Sequence, residues 1–240
     1  MYSSENIEKF KSLLASSDRA VFFGGAGVST ESGILDFRSQ DGLYKQKYKY
    51  PPETILSHTF FVEHTAEFYE FYREKMLCLD AQPNAAHRKL AQWEKEGKLS
   101  AVITQNIDGL HQKAGSRNVL ELHGSVWRNF CLQCGSPYPV RDIQNSVGVP
   151  HCRCGGIIKP DVVLYEEPLD DIVLNRSVEE IRKADLLIIG GTSLNVYPAA
   201  GLIDFFNGNN IVVINRDAPA KNMSGVLFID GKIGEVLSLL

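Results

Sequence analysis

Several things are missing from this 240-residue chain, and each absence removes a class of function. No block of basic residues stands out, and the net charge of −4 mixes both signs, so no specific nucleic-acid partner is expected. The longest apolar runs, such as residues 186–189, are far too short to span a bilayer, so no membrane partner is expected either. The opening residues, MYSSENIEKF, hold no apolar leader region, and a cytoplasmic protein is expected. Internal repeats and low-complexity tracts are absent. Cysteine is scarce: Cys78 stands alone, and the other four of the five share one short segment. Without a secretory leader, that clustering favours a metal site over a disulfide framework.

What is present reads as one substantial core, with 44% hydrophobic residues. Ile7, Phe10 and Leu14 fall at helical spacing within residues 6–16, and Ala86, Leu90 and Trp93 do so within 83–97. Residues 177–180 (SVEE) read as a capping box opening a helix to 183, and Pro198 as the first residue of another that Gly208 closes. Short apolar runs at 20–23, 101–103, 186–189, 211–214 and 226–229 read as buried strands, and 162–165 as a further strand-like run. Apolar strands alternating with amphipathic helices predict an α/β fold, a doubly wound parallel sheet covered on both faces. Residues 31–49 read as a polar lid loop, and the aromatic-rich stretch 51–79 as a small helical insertion whose rings are core.

Two strand ends carry the chemistry. After the 20–23 strand comes GGAGVST (24–30), a turn whose glycines admit a pyrophosphate close to the backbone and the free N–H groups of a helix start. The pattern is incomplete, because Thr30 stands where a dinucleotide fingerprint has its third glycine, and an ordinary tight turn would look similar. After the 101–103 strand come Thr104, Gln105, Asn106 and Asp108, at the edge where open α/β sheets bind ligands. His123 then sits beside Gly124, an imidazole next to a residue that allows close approach.

Cys131-x-x-Cys134 and Cys152-x-Cys154, separated by residues 135–151, can supply four thiolates to a tetrahedral Zn²⁺. Four thiolates leave no open position, so the metal is expected to be structural. The second pair is one residue tighter than usual, which leaves His151 as a substitute ligand.

Taken together, GAGVSTESGILDFR (25–38), TQNIDGLHQKAG (104–115), LHG (122–124), the cysteine pairs and GTSLNVYPAA (191–200) resemble the sirtuin family, the NAD-dependent protein-lysine deacylases, in a compact bacterial form. The resemblance implies one catalytic unit: a Rossmann-like NAD domain (about 1–38, 83–126 and 166–240) with a smaller domain built from a helical lid (about 39–82) and a zinc module (127–165). NAD would be a co-substrate, cleaved to nicotinamide, with the acyl oxygen attacking the ribose to give an imidate and finally O-acyl-ADP-ribose and free lysine. His123 matches the general base, and Gln105 and Asn106 match residues at the nicotinamide-side ribose and an ordered water. Ile107 and Asp108 match the nicotinamide pocket. Gly25, Ala26, Gly27 and Thr30 would meet the pyrophosphate and riboses, with Asp36, Phe37 and Arg38 on the lid. Gly191, Thr192, Ser193 and Asn215 match the adenosine half, with Asp230 at the adenine edge. The acyl-lysine protein would bind as an extended strand between Val162, Val163, Tyr165 and Glu166 on one side and Leu194, Asn195 and Val196 on the other. A monomer is expected.

Three departures stand out. Leu35 replaces a proline before Asp36, which would loosen the lid; the Cys-x-Cys spacing strains the metal site; and Tyr69-x-x-Tyr72 lacks the Tyr-x-x-Arg of desuccinylating members, favouring neutral acyl groups, although Arg73 lies one place away. Mono-ADP-ribosyl transfer and non-catalytic NAD sensing would use the same pocket. A hydride-transfer dehydrogenase fits less well, because no acidic residue ends a second strand about 20 residues past the glycines.

Overall fold

A computed structural model describes residues 3–36, 42, 48–216 and 225–240. Nine strands lie among them: β1 (Ala20–Gly24), β2 (Leu99–Thr104), β3 (Val119–Glu121), β4 (Gly124–Cys131), β5 (Pro137–Pro139), β6 (Ile158–Val162), β7 (Leu186–Gly190), β8 (Asn210–Asn215) and β9 (Val226–Asp230). The helices are α1 (Ser4–Ser16), α2 (Pro52–Ile55), α3 (His58–Glu63), α4 (Thr65–Phe71), α5 (Ala85–Lys95), α6 (Leu110–Ala114), α7 (Val140–Gln144), α8 (Asp171–Lys183) and α9 (Ile233–Leu237).

Six strands form one parallel sheet in the order β3-β2-β1-β7-β8-β9. Alternation along the strands feeds two cores. Phe22, Val102, Ile188 and Val212 pack with α1, α5 and α9, while Val21, Phe23, Ile103 and Ile189 pack with α8 and residues 199–205. Because both faces are covered, β1 and β7 are buried from end to end, which is why they read as unbroken apolar runs. The expected doubly wound α/β sheet is therefore present. Its strand order reverses between β1 and β7, whose carboxyl ends, Gly24 and Gly190, lie side by side. The crevice beyond that pair is where such folds receive a ligand.

A second sheet, β5-β4-β6, is antiparallel and shares a core with the helical insertion. Phe60, Phe61, Phe68, Tyr69 and Tyr72 pack against Val126, Ile143, Ile158 and Val162, and Phe61 and Phe68 meet edge to face at 5.0 Å. The aromatics of residues 51–79 are core, as their density predicts.

Three elements differ from expectation. Helix α8 starts six residues before Ser177, capped by Asp170, whose side chain accepts from the Val173 N–H. Ser177 lies inside the helix, fully buried, its hydroxyl donating back to the Val173 carbonyl at 2.7 Å. The segment after Pro198 is a 3₁₀ helix, Ala199–Phe205, which ends before Gly208. Strand β6 ends at Val162; beyond it Tyr165 makes a single bridge to Ser57, and Glu166 turns the chain with a φ of 75°.

Candidate active site

A cavity of about 940 Å³ opens at the reversal point, between the large sheet and the small one. Its floor is the glycine loop. Gly27 N–H donates to the Gly191 carbonyl at 2.8 Å, pinning the loop after β1 to the loop after β7. The approach is so close that a Cβ on Gly191, whose φ is 60°, would lie 2.4 Å from the Val28 nitrogen. Gln105 Nε2 donates to Thr192 Oγ1 at 3.1 Å and Asn215 Nδ2 to the Thr192 carbonyl at 3.2 Å, so the ends of β2, β7 and β8 are tied together across the crevice.

His123 stands at one wall. Gly124, with a φ of 74°, lets β4 lie against β6 where a Cβ would be 2.0 Å from the Asp161 carbonyl, and His123, one residue before it, lines the cavity. Its Nδ1 lies 3.0 Å from the Gln105 carbonyl, which can only accept. Nδ1 therefore carries the proton, and Nε2 keeps a lone pair. Burial pushes the His123 pKa below its ordinary value, partly offset by that hydrogen bond, so the ring is neutral near pH 7. Such a group can take a proton from a hydroxyl brought to Nε2.

Deeper in, Asp108 accepts from the Ser29 hydroxyl at 2.6 Å through Oδ2 and from the Leu110 N–H at 2.8 Å through Oδ1. Burial raises the pKa of its carboxyl, opposed by those two donors. Asn106 Nδ2 donates to the same Ser29 oxygen at 3.1 Å.

Of the residues the sequence singled out, the cavity is lined by Gly25, Ala26, Gly27, Thr30, Asp36, Gln105, Asn106, Ile107, Asp108, His123, Gly191, Thr192, Ser193 and Asn215, and also by Val162, Val163, Tyr165, Glu166 and Val196. Three lie elsewhere. Leu194 is buried in the core beneath the sheet, Asn195 is exposed, and Asp230 ends β9 opposite Asn215 without reaching the cavity. Phe37 and Arg38 fall outside the described residues. Sequence reasoning assigned no role to Ser29 and overlooked the cations Lys75, Arg216 and Lys232, which also line the cavity. Arg216 directly follows the end of β8, a position the strand-end rule marks. Arg73 does not face the cavity: its guanidinium donates to Ser146 Oγ and the Gly148 carbonyl.

The four clustered cysteines converge. Their sulfurs all lie within 4.8 Å of one another, with Cys131 and Cys154 at 3.5 Å and Cys134 and Cys152 at 3.6 Å. Tetrahedral zinc with bonds of about 2.3 Å sets its sulfurs about 3.8 Å apart, so the cluster fits that ion despite the tight Cys-x-Cys spacing. Backbone N–H groups of Gln133, Cys134 and Cys154, and the Tyr138 hydroxyl, point at the sulfurs, as the shell around a thiolate site does. His151 is exposed, its Nδ1 against the Gly155 carbonyl, outside the cluster.

The sequence pattern of the Sir2 family matches residues 25–198. This chain belongs to the Sir2 family. The NAD-dependent protein deacetylase of Clostridium acetobutylicum is 57% identical over 237 residues, spanning 97% of each chain. A solved Sir2 structure with a deacetylated p53 peptide and 3′-O-acetyl ADP ribose superposes with a TM-score of 0.89 at 37% identity, covering 97% of this Sir2 chain and 96% of the other. Another, with p53 peptide and NAD⁺, superposes at 0.85 and 37% identity with the same coverage.

Proposed function

We infer that this chain is an NAD-dependent protein deacetylase that removes acetyl groups from protein lysines. The observation that carries the reading is His123: a neutral imidazole, its proton held by the Gln105 carbonyl, presenting Nε2 to a cavity bounded by a glycine loop and by the end of β6. NAD supplies the ribose that accepts the acyl group. Toward it, Gly25, Ala26, Gly27 and Thr30 offer a tight backbone cradle for the pyrophosphate, and Thr192, Ser193 and Asn215 hold the adenosine half. Asp108, with Ile107, receives the carboxamide of nicotinamide. Gln105 and Asn106 orient the adjacent ribose, and His123 removes a proton from its hydroxyl. Asp36 lines the same cavity.

The acyl-lysine segment enters as an extended strand beside Val162, Val163, Tyr165 and Glu166, with Val196 opposite. Tyr72 carries no charge and Arg73 is engaged with Ser146 and Gly148, so the Tyr-x-x-Arg pair that would hold an acidic acyl chain is missing, which favours a neutral acyl group. Cys131, Cys134, Cys152 and Cys154 hold one structural Zn²⁺. The NAD-binding part comprises about 1–38, 83–126 and 166–240, with the remainder forming the smaller domain. The enzyme works as a monomer in the cytoplasm.

The test is nicotinamide release from NAD with and without an acetyl-lysine peptide, with products identified by mass spectrometry. Release that needs the peptide, with O-acetyl-ADP-ribose formed, is the expected result. Release without peptide, with mass added to protein, would refute it in favour of ADP-ribosyl transfer.

A further inference from the structure

Helix α5 begins directly behind the glycine loop, and its capping residues reach into that loop. Asn84 Oδ1 accepts from the Ala86 and His87 N–H groups, as a cap should. Its Nδ2 points the other way, donating to the Val28 carbonyl at 2.7 Å and to Ser32 Oγ at 3.0 Å. His87 closes the box by accepting the Asn84 N–H at Nδ1, 3.2 Å away.

That bond determines the tautomer. An imidazole accepting at Nδ1 carries its hydrogen on Nε2 when neutral. Burial, with a smaller push from Arg88, takes the His87 pKa down to about 4, so the ring is neutral at working pH. Nε2 lies 3.5 Å from Ser29 Oγ, and the ring is fully buried against that of His111, centroids 4.7 Å apart. Ser29 Oγ then has three polar neighbours. The amide of Asn106 and the Nε2–H of His87 donate to it; the third, Asp108 Oδ2, accepts. The single hydroxyl hydrogen has one place to go, and it goes to Asp108.

We propose that the Asn84–His87 capping box is a positioning device for the cofactor pocket, holding Val28 and Ser32 from behind and directing the Ser29 hydroxyl onto Asp108. The carboxylate is thereby held in one orientation with lone pairs left for a ligand's amide. Neither Asn84 nor His87 lines the cavity, so both act through others. The proposal rests on the reading of Asp108 as the nicotinamide acceptor.

Substitutions can separate the cap from the reach. His87→Asn keeps an acceptor near the Nδ1 position but is too short for Ser29, whereas His87→Gln places a donor near Nε2. Asn84→Ser caps a helix as well as asparagine does, but cannot reach Val28 and Ser32. In the full chain turning over NAD with an acetyl-lysine peptide, His87→Asn and Asn84→Ser should each raise the KM for NAD about fivefold, the effect of one net hydrogen bond. His87→Asn should raise the nicotinamide inhibition constant by the same factor. The peptide KM should stay within about twofold. His87→Gln should remain near wild type, and His87→Asn should add nothing to Ser29→Ala, since it acts through that hydroxyl. Equal constants in all variants, additive losses with Ser29→Ala, or a parallel rise in peptide KM would overturn the proposal. Wild type that releases no nicotinamide would instead overturn the deacetylase reading itself.

Discussion

Lysine 159 offers the sharpest test of how the wall of the cleft is held. Its side chain is 10% exposed, and its ammonium donates to Glu167 Oε2 at 3.0 Å and to the Val162 carbonyl at 2.9 Å. Glu167 Oε2 also accepts the Leu164 N–H at 2.9 Å, so this one ion pair fixes the backbone on both sides of Val163. Burial works against ionisation of Glu167, but the Leu164 N–H, His58 and Lys159 outweigh it and hold its pKa below the usual 4.5. Lys159→Met leaves that carboxylate largely buried with its principal counter-charge gone. Breaking such a pair costs about 3–5 kcal/mol, and the two remaining partners place this case near the lower limit, about 3 kcal/mol. For a chain of this length that corresponds to a fall in Tm of about 6–12 °C. Lys159→Met/Glu167→Gln removes both charges and should recover to within about 1 kcal/mol of wild type. The pH dependence has a defined sign. The depressed Glu167 pKa contributes stability above the unfolded value of about 4.5, lost as pH falls through the folded value, so wild type and Lys159→Met should converge in acid. Denaturant unfolding at pH 7 and pH 4 is the assay. A loss below about 1 kcal/mol at pH 7, or a gap independent of pH, refutes this account of the wall.

Other outcomes follow from the site. Because burial lowers the His123 pKa from 6.5, kcat/KM should lose its acid limb with a midpoint below 6.5, and a midpoint near 7 or above would contradict the geometry. His123→Ala should cut O-acetyl-ADP-ribose formation at least ~100-fold, read by mass spectrometry. Metal analysis should find one zinc per chain, and chelation should expose four titratable thiols while lowering Tm; full stability after complete zinc removal would argue against a structural role. Gly191→Ala forces a Cβ to within 2.4 Å of the Val28 nitrogen at a φ of 60°, which should destabilise the chain by about 1–3 kcal/mol by denaturant unfolding and raise the KM for NAD.

Elements set by local pattern were legible from residues alone. Phe10 and Leu14 on α1, the unbroken apolar runs of β1 and β7, and the two cysteine pairs each announce their surroundings within a few positions. What failed was not decided by the local pattern. Ser177 and Glu180 imitate a capping box, yet the hydroxyl is satisfied by Val173 one turn back, and burial of that turn against the sheet extends α8 past them. The three-residue strands β3 and β5 are too short for alternation to show. The proximity of His87 to Ser29 spans 58 positions, which no local pattern shows. Leu194 and Asp230 do not line the cavity, because proximity in sequence to a strand end does not say which side of the chain a side chain leaves from.

The central strand β1 is completed late. It pairs on one side with β2 and on the other with β7, whose first residue is Leu186. On a ribosome adding about 5–20 residues per second, β1 and β2 are synthesised roughly 4–17 s before β7 exists to cover the open edge. During that interval a strand of sequence AVFFG offers unpaired backbone and bare phenylalanines to any neighbouring nascent chain. The central position that buries β1 in the finished enzyme leaves its edge open during synthesis, and yield in rapid expression should improve when a holding chaperone is supplied.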